Sequence, residues 1–393
     1  MIVGVPKESY PGERRVAMVP SLVPTLVKAG CEVAIETEAG AAAGYPDSGY
    51  AEKGARVLPS REQVFATADI VIQVLCHGAN DRTGRADLAL LRPGQVLIGF
   101  LRPDNVPHTV AEIAATGAMA FSVELMPRIT RSQSMDALSA MATVCGYKAV
   151  IMAAEALPRF FPMLTTAAGT ITPARVLVLG AGVAGLQAIA TARRLGAVVS
   201  AYDVRSAVKE QVQSVGGRFV ELPLETGQAE DARGYAVAKE ESFYQRQREL
   251  LARTVADSDV VISTAVVPGK PAPRLVTAEM VASMAPGSVI VDLAAERGGN
   301  CELTHPDQIA VEHGVTIAGL FNLAGTVPYH ASQMYARNMS GLIVHLLKGG
   351  KLNIDLQDEI TRDTLVTRDG KVVNNRVQEF LASAPQVAQS SPN

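Results

Sequence analysis

Short apolar runs, bounded by turn residues, alternate along the chain with stretches whose apolar positions recur at helical spacing. In the first third, Ile2–Val5, Glu32–Ile35, Ile70–Leu75, Val96–Phe100 and Met119–Val123 read as strands, with helical spacing over Ser21–Lys28 and Val106–Thr116. Such alternation predicts βαβ units, hence an α/β fold with parallel sheets covered on both faces. A polar stretch, Pro127 to Asp136, follows, and either Ser134 or Asp136 is placed to cap a long helix through Ala137–Phe160. Past Pro162–Pro173 the alternation resumes. Its strands are Val176–Leu179, Val198–Tyr202, Arg218–Leu222, Val260–Thr264, Ser288–Leu293 and Val315–Gly319. Its helices run through Leu195, to Val215, and over Ser242–Ala256. A further helix, Ser332–Leu347, is expected to return the chain to the first domain. The expected domains are therefore 1–137 completed by 327–380, then 138–326, with a frayed tail at 381–393.

One stretch within this pattern carries chemistry, Arg175 to Arg205. The apolar run Val176–Leu179 suits a strand buried on both faces. It leads into Gly180-Ala181-Gly182-Val183-Ala184-Gly185, a G-x-G-x-x-G turn opening a helix, and the next strand ends at Asp203, eighteen residues past Gly185. This is the spacing of a dinucleotide-binding turn. Gly180 permits the tight turn, Gly182 lets the backbone approach a pyrophosphate, and Gly185 lets helix and strand close together. The helix N-terminus supplies N–H groups to phosphates. Asp203 can accept hydrogen bonds from a ribose diol and repels a 2′-phosphate, whereas Arg205 tolerates one; Asp203 decides for NAD(H) over NADP(H). The first half has no such turn, since Gly4 and Gly40–Gly44 lack the spacing. The expectation is two doubly wound parallel-sheet (Rossmann-like) domains joined by long helices, one of which holds a dinucleotide.

Composition narrows the class. A length of 393 residues suits two domains, and 48% hydrophobic with 19% charged residues supplies ample core. A net charge of −3 gives no reason to expect nucleic acid or an anionic membrane as partner. Cys31, Cys76, Cys145 and Cys301 are scattered without a C-x-x-C pair, the pattern of reduced cytosolic thiols, and no metal is expected. No secretory leader precedes the strand at Ile2, and the longest uncharged run, Val176–Ala192, is glycine-broken and short for a bilayer span. A soluble polypeptide without direct bilayer insertion is expected. Two loops stand out: Val266–Pro273, rich in proline, and Glu225–Lys239, rich in Gly, Ala, Glu and Asp and weakly held.

Longer motifs add a resemblance. RITRSQSMDALSAMATVCGYKA from Arg128, TTAAGTITPARVLVLGAGVAGLQAIATARRLGA, VPGKPAP and VDLAAERGGNCELT stand in the order found in one family. Over essentially the whole chain except its last residues, the sequence resembles the NAD(H)-binding component, domain I, of proton-translocating nicotinamide nucleotide transhydrogenase. The resemblance implies hydride transfer from NADH to NADP⁺ held on a separate NADP(H)-binding component, and coupling to proton movement by a membrane-spanning component. It implies a homodimer, cytoplasmic and attached peripherally to the inner membrane through its partners. By spacing alone, residues 128–139 read as a capped helix start. The resemblance instead gives Arg128, Gln133, Asp136 and Ser139 the task of holding the nicotinamide end near the partner's ring, with Ile129 and Thr130 beside them. It places Gly180, Gly182, Val183 and Gly185 along the pyrophosphate, Asp203, Val204 and Arg205 around the adenosine, and Ala265 at a further contact. Glu225–Lys239 matches the family's mobile loop, with Gly234 and Tyr235 at its tip.

The same grouping contains alanine dehydrogenase, which needs a general base and a cation for its substrate carboxylate. Its lysine and histidine fall where this chain reads Gln73-Val74-Leu75-Cys76-His77 and Phe100-Leu101-Arg102-Pro103. Arg15 keeps a substrate-binding position but alone reads as a structural ion pair, and His77 reads as a solvated loop residue, with a displaced base as its alternative. Transfer between two nicotinamides needs neither acid nor base, only two rings held close and dry. The alternatives are an alanine (or other amino acid) dehydrogenase and a non-catalytic NAD(H)-binding regulator.

Overall fold

A computed structural model describes residues 1–222, 240–267 and 269–383. The expected loop 225–239, with Gly234 and Tyr235, lies outside the described residues, as does the tail beyond Ser383. Two compact units result, residues 1–141 together with those from Gly325 onward, and Ala142–Ala324.

In the first unit an eight-stranded sheet runs in the order Lys371–Val372, Leu365–Arg368, Met119–Ser122, Val96–Phe100, Ile70–Leu75, Ile2–Val5, Glu32–Glu36, Arg56–Leu58. From Met119–Ser122 to Arg56–Leu58 every pairing is parallel. Leu365–Arg368 is antiparallel to both neighbours, a departure from the all-parallel expectation. Val71, Leu97, Ala120 and Val366 share one apolar cluster with Phe65, Val110 and Ile113 from the flanking helices. The helix Arg61–Thr67 begins at Ser60, whose hydroxyl accepts from the Gln63 N–H.

The second unit holds a seven-stranded sheet ordered Arg218–Phe219, Val198–Tyr202, Arg175–Leu179, Val260–Ser263, Val289–Asp292, Val315–Ala318, Ile309–Glu312. Here the edge strand Ile309–Glu312 is antiparallel to its neighbour. The double burial expected of the run at 176–179 is literal. Val176 and Val178 enter a core with Ala188, Ile189 and Ala192 on one face, while Leu177 and Leu179 enter another with Leu251, Val255 and Met280. Alternate side chains of one strand thus serve two layers of helix.

The long helix spans Ala137–Ala156, stopping short of Phe160 because Pro158 disfavours helical geometry just before it. Among the described residues it has the length and composition of a membrane span. It carries Lys148 and Glu155, however, and Ala149, Val150 and Ala153 pack into the second unit's core, as a core helix does. The helix expected over Ser332–Leu347 starts earlier, at Pro328, a residue favoured in a first turn, and ends at His345. The tail expected from 381 is helical through Ser383.

Candidate cofactor-binding site

In the second unit the strand order reverses between Arg175–Leu179 and Val260–Ser263, and ligands of doubly wound sheets bind at the carboxyl ends beside such a reversal. Gly180 and Ala265 follow those two strands. Gly180 sits at φ +97°, where a side chain is strained, and a Cβ there would lie 2.7 Å from the Thr264 hydroxyl. A Cβ on Gly185 would lie 1.9 Å from the Gly180 carbonyl oxygen, so helix Val183–Arg194 approaches the turn backbone to backbone. Gly182 differs, because a Cβ there would meet nothing within 4 Å. Two glycines are filled in by protein and the third faces open space, the cradle a dinucleotide's phosphates require. Val183, at the helix start, is 36% exposed beside that space.

Asp203 directly follows the neighbouring strand, Val198–Tyr202, and is buried. Its Oδ2 accepts from Ala181 N at 2.7 Å and Arg205 Nη2 at 2.8 Å, and its Oδ1 accepts from Arg205 N and Nε, both at 2.9 Å. Val204 packs against the apolar core around Leu177 and Leu179. Ala265 is clamped by the fully buried Asn300, whose Oδ1 accepts from Ala265 N at 3.0 Å and whose Nδ2 donates to Ala265 O at 2.8 Å. Asn300 escapes sequence reasoning because one asparagine after two glycines suits any turn.

In the first unit, Thr130–Met135 form a short 3-10 turn carrying Gln133 exposed, with Arg128 and Ile129 immediately before it. Of the two capping residues the sequence offers, Asp136 acts. It accepts from Ser139 N at 2.8 Å and from the Ser139 hydroxyl at 2.6 Å. The turn is held from below by Asn338, donating to Ser134 O at 2.9 Å, and by Asp358, which accepts from Arg131 at 2.6 Å. Burial alone would raise the Asp358 carboxyl, but bonds from Thr361 N, Arg131 and His345 hold it well below the usual carboxylate range. Neither Asn338 nor Asp358 carries a sequence signal.

The residues aligned with dehydrogenase chemistry are turned on one another. Arg15 is buried in a two-pronged pair with Glu13, 2.8 Å and 2.6 Å, the structural ion pair the sequence suggests. Gln73 donates to Asp87 at 3.0 Å, and Asp87 pairs with Arg61 at 2.5 Å. The solvated-loop expectation for His77 is corrected: it is 8% exposed and its Nε2 lies 2.6 Å from Glu112. Helix Pro107–Ala115 brings that carboxylate over a loop that primary sequence leaves unlocated. Glu8 accepts from Val74 N at 2.6 Å and Leu75 N at 3.1 Å, and burial, aided by the nearby Glu13, pushes its carboxyl up to about 8. The described residues contain no group of His, Cys, Asp and Glu that could hold a metal.

A doubly wound unit with this glycine turn at its reversal and a buried acid directly after the next strand defines a binding protein for NAD-type dinucleotides. The family described as "Alanine dehydrogenase/PNT, N-terminal domain" matches residues 4–145, and its C-terminal-domain counterpart matches residues 149–375. The chain belongs to the alanine dehydrogenase/PNT family. It is 46% identical to an NAD(P) transhydrogenase alpha subunit chain of Rhodospirillum rubrum, over 95% of this chain and 98% of that protein. It is 31% identical to alanine dehydrogenase of Geobacillus stearothermophilus, over 84% of this chain and 82% of that one. The crystal structure of transhydrogenase from Sinorhizobium meliloti superposes with a TM-score of 0.82 at 41% identity, covering 96% of this chain and all of the other.

Proposed function

We propose that this chain is the NAD(H)-binding component of a proton-translocating transhydrogenase. NADH bound here passes hydride directly to NADP⁺ held by a partner component, and a membrane-spanning partner couples the transfer to proton movement. The observation that carries this reading is the set of residues standing where a dehydrogenase keeps its lysine and histidine. Gln73-Val74-Leu75-Cys76-His77 and Phe100-Leu101-Arg102-Pro103 lack that lysine and histidine pair, His77 is engaged with Glu112, and Arg15 is committed to Glu13. The reaction we assign needs no general base, since the bound nicotinamide supplies the hydride. The protein's tasks are to grip the cofactor at Gly180–Gly185, Asp203 and Ala265, and to steady its reactive end with Arg128, Gln133, Asp136 and Ser139.

The greater identity to the transhydrogenase subunit than to alanine dehydrogenase supports the same reading. A homodimer is supported by the hairpin Leu164–Thr166/Gly169–Ile171, which joins no other strand among the described residues. Met163, just before it, and Ile171 on it are 62% and 42% exposed, and an isolated hairpin is only marginally stable without packing. The homodimer works in the cytoplasm, held at the inner membrane by its partners. One observation favours a second reading, an amino-acid dehydrogenase: the His77–Glu112 pair, 2.6 Å apart, has the form of an oriented base.

A single assay separates the two. NADH oxidation is followed with an absorbance-shifted NADP⁺ analogue, with and without membranes carrying the partner components, and separately with pyruvate and ammonium. Turnover only with analogue and partners is expected, and Gln133→Asn should slow it about tenfold or more while NADH affinity changes little. Turnover with pyruvate and ammonium, lost in His77→Gln, would replace the transhydrogenase reading by the dehydrogenase one.

A further inference from the structure

We infer that Arg205 is an internal occupant of the subsite that reads the adenosine ribose, and that it sets both the affinity for NADH and the discrimination against NADPH. The inference rests on the NAD(H)-binding reading above and concerns how that same site chooses its ligand. Asp203 is 8% exposed, and four N–H groups converge on its two oxygens, all within 2.9 Å. An ionised carboxylate offers about four acceptor positions. These donors therefore fill it.

The four are not equivalent. Ala181 N and Arg205 N belong to the backbone, fixed by the glycine turn and by the bend that follows the strand. The other two, Nε and Nη2, come from one long side chain that is 13% exposed. A ribose diol brings two O–H donors to the same oxygens. Of these four donors only the guanidinium pair can withdraw to make room, so NADH and Arg205 compete for one carboxylate.

Charge extends the argument to selectivity. With the fork in place, the Asp203–Arg205 pair is neutral, and a 2′-phosphate meets a cancelled charge instead of a bare carboxylate. Turned off Asp203, the same guanidinium offers the planar fork that suits a phosphate. Arg205 thus works against NADH and in favour of NADPH, and Asp203 does the reverse.

The test measures dissociation constants for NADH and NADPH, from reduced-nicotinamide fluorescence, on the full chain and on Arg205→Leu, Arg205→Lys, Asp203→Asn and the double variant Asp203→Asn/Arg205→Leu. Removing a charge-assisted fork that must be broken on binding should tighten NADH about fivefold to tenfold in Arg205→Leu. NADPH should weaken in the same variant, because the cation that faces its 2′-phosphate is gone. Arg205→Lys, which keeps the charge without the planar fork, should fall between, and it carries the test if the leucine variant does not fold. Asp203→Asn should shift the NADH:NADPH ratio the opposite way, and adding Arg205→Leu to it should no longer tighten NADH. Weakening of both nucleotides together, or an unchanged ratio, in the folded Arg205 variants would overturn the inference and leave Arg205 a support for the turn. Failure of the unsubstituted chain to bind NADH would remove the NAD(H) reading itself, and the inference with it.

Discussion

Glu8 holds its proton far above the ordinary carboxyl range, because its carboxyl is enclosed between the Ile70–Leu75 strand and the buried Glu13. Between the ordinary value of 4.5 and about 8, the folded chain keeps a proton that the unfolded chain has released. Stability from this group is therefore complete below that interval and is lost as pH rises through it. Glu8→Gln, neutral at every pH, should show a flatter dependence of thermal midpoint on pH over the same interval; an unchanged slope would mean that Glu8 is ionised in the fold. Individual residues differ sharply in how far the sequence betrays them. Asp203 is legible because an acid at a set distance past a glycine turn has one geometric destination. Glu8 and His77 are opaque because their partners, Leu75 and Glu112, come from elements that only the fold brings alongside.

At the scale of elements, the glycine turn separates two kinds of requirement. Gly185→Ala places a Cβ against the Gly180 carbonyl and must force helix Val183–Arg194 away from its strand, a destabilisation of about 1–3 kcal/mol or more. Gly182→Ala meets open space, so its thermal midpoint should stay near that of the unsubstituted chain while NADH binding falls. NADH affinity unchanged in Gly182→Ala would show that the space at Gly182 is not where phosphates lie. The buried central strands are evident from their apolar runs, and their ends agree with sequence expectation to within a residue or so. Short strands at or next to the edges are less evident, although the edge strand Arg218–Phe219 begins where expected and ends three residues before Leu222. Arg56–Leu58, Ile309–Glu312 and Leu365–Arg368 are three or four residues long, and the first two are half exposed, so no apolar run marks them. The antiparallel strands Ile309–Glu312 and Leu365–Arg368 depend on pairing partners that sequence spacing does not name.

For the whole molecule, the exposed hairpin at 164–171 makes a prediction about assembly. Met163→Ser with Ile171→Ser removes apolar surface without touching either core, so a dimer built on the hairpin should dissociate more readily, while the thermal midpoint of dilute protein changes little. Sedimentation at graded concentration reads this directly, and an unaltered dimer would place the contact elsewhere. The division into two α/β units is legible because alternation of strand and helix restarts after Pro173. Which late segments complete the first sheet is not, since Leu365–Arg368 follows Met119–Ser122 by more than two hundred residues and pairs with it out of even register.

That pairing has a consequence for the order in which a ribosome can deliver the structure. Residues 142–324 are contiguous, so the second unit has all its strands as soon as Ala324 has emerged. The first unit begins earlier yet waits longer, with the Met119–Ser122 strand exposing an unpaired edge until Leu365–Arg368 arrives. The unit made first is thus the unit finished last, and it is the nascent chain, more than the completed one, that needs protection from edge-to-edge aggregation.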